Sequence, residues 1–164
     1  MHASLDGSRA RRASPRLAEF DYSQESYYFV TICTRNHKSL FGQIRNDKIY
    51  LSPTGEIVAS EWCAIPDYEP HTHLDAWVVM PNHLHGIISI HAAEHEDLHD
   101  LSAIVSAFKS RVTWSANRVS RREGASFWQR SFYDHVIRND DDLERIQEYI
   151  ENNPGRWGQD RFHR

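Results

Sequence analysis

LDAWVVMPNHLHGIISIH, residues 74–91, reads as two strands joined by a tight turn. Leu74–Met80 is a short apolar run of strand length, and His83–His91 is a second one. Pro81-Asn82 fits the two central positions of a β-turn, since proline presets φ and asparagine tolerates the second corner. The chain therefore folds back directly and the two strands run antiparallel. Side chains alternate along a strand, so His83 and His85 project from one face while Leu84 enters the opposite layer. Two imidazoles on one face of a core strand are costly unless solvated or bound, and together they form a metal pincer.

The flanking sequence supplies the rest of the sheet. Tyr27–Arg35 (YYFVTICTR) is rich in aromatic and β-branched residues and predicts a first strand. Leu40–Leu51 holds two short apolar pieces around Arg45-Asn46-Asp47 and predicts a hairpin arm. Ser52-Pro53-Thr54 offers capping chemistry for a helix through Ile65, with Ile57, Val58, Glu61, Trp62 and Ile65 at helical spacing and Pro66 and Pro70 ending it. Residues 94–100 form an acidic, His-rich loop. Leu101–Arg122 predicts the longest helix, with Ile104, Val105, Phe108, Val112 and Val119 inward. Phe127–Arg138 predicts a fourth strand. Asn139 or Asp140 caps a last helix whose buried stripe is Leu143, Ile146 and Ile150, and Pro154-Gly155 stops it. The order β-α-β-β-α-β plus a helix predicts an α+β, ferredoxin-like fold: a four-stranded antiparallel sheet with helices on one face, an inserted hairpin and a C-terminal helix. Residues 1–18, without periodicity and loaded with Arg9, Arg11, Arg12 and Arg16, read as a flexible basic tail, and 19–164 as a single domain.

With 164 residues and five Trp, seven Tyr and seven Phe, the chain can bury a core without staples. Cys33 and Cys63 give no disulfide framework and no CxxC pair, apolar runs fall short of a membrane span, and the first residues lack a secretory signal. These features predict a cytoplasmic protein with no membrane partner. There is no glycine-rich phosphate loop, GxSxG elbow or HExxH helix. The net charge of -4 argues against phosphate binding only as an average. Lys109, Arg111, Arg118, Arg121 and Arg122 fall in a stretch, residues 101–122, that contains no acid, while acids collect in 94–100 and 140–142.

A bare HxH is weak evidence in a chain with eleven histidines, and His71-Thr72-His73 is a second instance, set beside Pro70 in a stretch that reads as a wet loop. His91, His95, His99 and His135 read as adventitious at most, and Phe127 and Trp128 as core before base-stacking residues. Tyr149 and Asn153, four apart on a helical segment, lie roughly 40° apart on one face. A phenol and an amide oxygen thus reach toward one place.

The stretches DAWVVMPNHLHGIISI, LSAIVSAFKSRV and FWQRSFYDHVIRNDDDLERIQEYIENNPGRW, in this order and spacing, resemble the single-tyrosine HUH transposases of the REP-associated type, relatives of the insertion-sequence-200-like enzymes. The resemblance spans Tyr27–Trp157. It implies that His83 and His85 are paired metal ligands, that Tyr149 is the nucleophile, and that Asn153 stands where a glutamine often serves as third ligand. It implies cleavage of single-stranded DNA near a hairpin through a covalent 5′-phosphotyrosine, with a divalent metal, Mg or Mn, and no nucleotide cofactor. Lys109, Arg111, Arg130 and Arg138 are the expected DNA-backbone contacts. Monomer and homodimer stay open. Two other readings remain: a non-catalytic single-stranded nucleic-acid-binding module, and a metal-dependent hydrolase or sensor using the same histidines with Tyr149 structural.

Overall fold

The computed structural model describes residues 25–91, 99–121, 124 and 126–163. The expected basic tail, His95, Arg122 and most of the acidic loop lie outside them. Strands β1 (Glu25–Cys33), β4 (Thr72–Met80), β5 (His83–His91) and β6 (Tyr133–Ile137) form one antiparallel sheet in the order β4-β5-β1-β6. β2 (Gly42–Arg45) and β3 (Lys48–Leu51) form the expected hairpin as a separate two-stranded sheet. Its corner, Asn46-Asp47, takes φ of 49° and 59°, the left-handed pair that a two-residue hairpin loop needs. Helix α1 (Pro53–Cys63) starts at the Ser52 cap, whose hydroxyl accepts from Gly55 N, and Pro66 lies inside the first turn of a short α2 (Ile65–Tyr68) rather than ending α1. Helix α3 (Leu101–Ser120) is capped by Asp100, and α4 (Asp140–Asn152) by Asn139.

The antiparallel α+β sheet is as expected, but the helices do not share one face. Alternation along the strands sorts the core into two layers. Val30, Ile32, Val79, Leu84 and Ile88 meet α1 and α3 through Val58, Trp62, Ile104, Val105, Phe108 and Val112. Tyr27, Ala76, Val78, Met80, Ile87 and Ile137 meet α4 through Leu143, Ile146 and Ile150. The physical reason is that α4 follows β6 at one edge and carries a narrow apolar stripe, which covers the second sheet face that would otherwise stay wet.

Three smaller expectations also change. The fourth strand is shorter than Phe127–Arg138: Phe127 and Trp128 leave the ladder for the α3 layer, with Trp128 making only an isolated bridge to Thr34. Val119 is 67% exposed, because α3 has by then passed the edge of the core. His73 lies within β4, exposed, with its ring against His91 at 4.4 Å, rather than in a loop before it. Pro81-Asn82 turns the chain as expected and is tied down: Pro81 O accepts from Phe41 N (2.9 Å) and Asn82 O from Thr34 N (2.9 Å). Gly86 leaves room in β5 for the Trp62 ring, since a Cβ there would stand 2.3 Å from Trp62 Cζ2.

Candidate functional site

The alternation that sends Leu84 into the α1/α3 layer turns His83 and His85 toward α4, where both are buried at 0% and 1% exposure. Their Nε2 atoms face each other at 3.0 Å. Each ring is held from behind at Nδ1. His83 Nδ1 lies 2.7 Å from Asn82 Oδ1, and Asn82 Nδ2 donates to the carbonyls of His37 (3.1 Å) and Phe162 (2.7 Å). Two carbonyl acceptors fix the amide's orientation, so Oδ1 accepts the Nδ1–H of His83 and leaves Nε2 with a bare lone pair. His85 Nδ1 meets the Thr31 hydroxyl at 2.8 Å, directly across the β1–β5 ladder. A hydroxyl can donate or accept, so it supports either tautomer of His85.

Burial holds both imidazoles neutral. His83 is pushed well below the ordinary 6.5 by desolvation, then by His85, His37 and Arg161; His85 falls to about 3 by desolvation and Arg161. Asp160 Oδ2 lies 3.7 Å from His83 Nε2, yet the neutral ring makes this no ion pair, and that buried oxygen has no hydrogen-bond partner. Asp160 Oδ1 is occupied, accepting from Phe162 N at 2.7 Å. The Phe162 ring packs at 4.8 Å from that of His83.

Tyr149 reaches the pair from α4. It flanks the stripe Leu143–Ile146–Ile150 and is therefore 38% exposed, with its hydroxyl 3.4 Å from His85 Nε2 and its ring edge-on to His85 and Phe29. Asn153 continues the stripe and is buried, and its Oδ1 has no partner. Burial and Asp160 raise the phenol above its ordinary value; Asn153 and Arg161 oppose them. A cleft of about 590 Å³ opens beside the hydroxyl, lined among others by His85, Arg145, Tyr149, Arg156 and Arg161. Arg145 is committed to Asp142, whereas Arg161 stacks on Tyr133 and Phe162.

The residues fit a divalent cation. At a metal–donor distance of about 2.1 Å, donors at right angles stand about 3.0 Å apart and opposed donors about 4.2 Å. The imidazole nitrogens are 3.0 Å apart, and His83, His85 and Asp160 offer donors all within 4.8 Å of one another. Two neutral imidazoles and a carboxylate whose free oxygen is buried make a donor set for such an ion.

The sequence-selected residues thus divide. His83, His85, Tyr149 and Asn153 converge. The four cations expected on DNA do not line this cleft. Lys109 Nζ donates to the carbonyls of Gln129 and Ser131, Arg111 pairs with Glu61 at 3.4 Å on the α1–α3 side, and Arg130 lines a separate cleft with Arg35 and His37. Arg138 is exposed just after β6. Sequence reasoning missed Asp160, Arg156 and Arg161, which follow Pro154-Gly155 in a segment with no periodicity, and it missed Thr31 and Asn82. For Asn82 a signal existed: a turn asparagine directly before a ligand-type histidine.

Comparison with known proteins identifies the family. The family model described as "Transposase IS200 like" matches residues 22–153. An uncharacterized Haemophilus influenzae protein is 37% identical over 93% of both chains, and a second protein of that organism, assigned as a REP-associated tyrosine transposase, is 25% identical over 84% of this chain and 75% of its own. A solved REP-associated tyrosine transposase bound to a REP hairpin superposes with a TM-score of 0.63 at 25% identity, covering 82% of this chain and 70% of that one. A Deinococcus radiodurans chain at 17% identity and a TM-score of 0.51 shares the fold. A family match across most of the chain, over a sheet that carries the paired histidines, makes this protein a member of the IS200-like transposase family.

Proposed function

We propose that this transposase nicks and rejoins single-stranded DNA beside a hairpin, with Tyr149 as nucleophile and a divalent cation, Mg or Mn, held by His83 and His85. The observation that carries the reading is the 3.4 Å approach of the Tyr149 hydroxyl to His85 Nε2 at the mouth of an arginine-lined cleft. The hairpin to which the solved relative is bound supports DNA of that class as the ligand. A cation bound there supplies positive charge to the scissile phosphate and its leaving oxygen.

The chain's own residues do the rest. Arg156 and Arg161 hold the phosphodiester backbone in the cleft, and the stripe of α4 aims the phenol. Asn153 and Arg161 favour the ionised phenol against burial, and its proton leaves through the open cleft. The phenol oxygen bonds to phosphorus in line as the P–O3′ bond breaks, giving a 5′-phosphotyrosine and a 3′-hydroxyl once that oxygen takes up a proton. Because the tyrosyl link keeps the phosphodiester, a new 3′-hydroxyl can reverse the step, so one tyrosine both cuts and joins.

The test is incubation of wild type and Tyr149→Phe with a 3′-labelled hairpin oligonucleotide and Mn²⁺, followed by denaturing electrophoresis. The proposal requires a labelled protein adduct that the Phe variant lacks. Binding without adduct in both proteins marks a non-catalytic module, and cleavage that survives the loss of the phenol marks a hydrolase.

A further inference from the structure

Resting on the metal reading above, we propose that Asp160 is a protein ligand of the cation beside His83 and His85. Asp160 Oδ2 is buried and lacks a hydrogen-bond partner. It is set against a ligand nitrogen, 3.7 Å from His83 Nε2, between the right-angle and opposed separations of a common ligand sphere. Its other oxygen is pinned by Phe162 N, and Phe162 O is pinned by Asn82 Nδ2, the same amide that orients His83. One asparagine thus sets the orientation of two ligands, the outer-layer arrangement that tunes metal sites. A buried carboxylate oxygen without a partner is, moreover, far costlier to keep than an amide oxygen, and a cation removes that cost.

This ligation ties the Asp160–Phe162 turn to the metal: cation binding fastens it beneath the imidazole pair. Mn²⁺ affinity is measured by electron paramagnetic resonance of free ion for wild type, Asp160→Asn and His83→Ala, with hydrogen exchange of the Phe162 amide with and without Mn²⁺. Asp160→Asn is expected to lose at least tenfold in affinity and the metal-induced protection at Phe162, while its metal-free melting temperature holds or rises because a buried charge is gone. Unchanged affinity in Asp160→Asn overturns the assignment. Unchanged affinity in His83→Ala instead overturns the metal reading on which it rests.

Discussion

Gly86→Ala tests whether the imidazole pair depends on the opposite face of its own strand. A Cβ at this position stands 2.3 Å from Trp62 Cζ2 and 3.0 Å from Cε2 and Cη2. Non-bonded carbons settle at about 3.5 Å, so ring and strand must separate by about 1 Å. Trp62 has little room to yield, being 1% exposed and packed edge-on against Phe108 at 5.5 Å. Overpacking of this kind costs about 1–3 kcal/mol, or about 2–12 °C in melting temperature for a chain of this size. If β5 yields instead of the ring, His85, the adjacent residue, moves against Thr31 and Tyr149, and a misplacement of about 1 Å costs about 100-fold in adduct formation. Thermal unfolding and adduct yield are measured for Gly86→Ala, Trp62→Leu and the double variant. Trp62→Leu alone destabilises through its cavity, and in the double variant the new methyl enters that space, so the coupling is favourable by at least about 1 kcal/mol. Simple additivity, or a Gly86→Ala protein melting within 1 °C of wild type, refutes the packing argument.

Asn82→Ala releases His83 Nδ1 and Phe162 O together and is expected to lower Mn²⁺ affinity by about 10–100-fold, checked by calorimetric titration. Acid sensitivity follows from burial of the imidazoles: His85 sits at about 3 against an ordinary 6.5, so below pH 6.5 the unfolded chain binds a proton that the folded one refuses. This contribution to metal-free stability, up to about 5 kcal/mol, is complete above pH 6.5 and is lost as pH falls toward 3; urea unfolding against pH is expected to flatten in His85→Gln, and an identical slope contradicts it. Arg156→Gln is expected to reduce the salt dependence of single-strand binding by about 0.7 in the log–log slope for each phosphate that the side chain neutralises, while Arg111→Gln, on the α1–α3 side, leaves it unchanged. Gln147→Ala removes the hydrogen bonds from Gln147 Nε2 to both Asp75 carboxylate oxygens (3.1 and 3.0 Å) that clasp α4 to β4; it is expected to cost about 2 kcal/mol in unfolding and to slow adduct formation with little change in metal affinity.

What the residues made legible was local. The strand–turn–strand at 74–91 was readable because a Pro-Asn corner and period-two patterning act over a few residues, and the Tyr149–Asn153 pair because helical spacing fixes relative direction within one turn. Hidden features required knowing which surfaces meet. The apolar stripe of α4 says that it is covered but not by which sheet face; the second face became visible only once Ala76, Val78, Met80 and Ile87 were paired in register. Lys109 and Arg111 were drawn into the site by charge alone, yet α3 carries them on the far layer. Asp160 and Arg161 carry no pattern, since a segment folded by carbonyl and aromatic contacts leaves no periodic trace.

The two halves of the site differ in how firmly they are held. His83 and His85 belong to the second strand of a four-stranded sheet, hydrogen-bonded on both sides, and their rings are fixed by Asn82 and Thr31. Tyr149 reaches them only through the docking of α4, whose side-chain grip is a stripe of three apolar residues and the Gln147–Asp75 clasp. Loss of the stripe or the clasp therefore separates nucleophile from imidazoles without disturbing the imidazoles themselves. Perturbations of α4 act on adduct formation and leave metal affinity alone, whereas perturbations of β5 act on both.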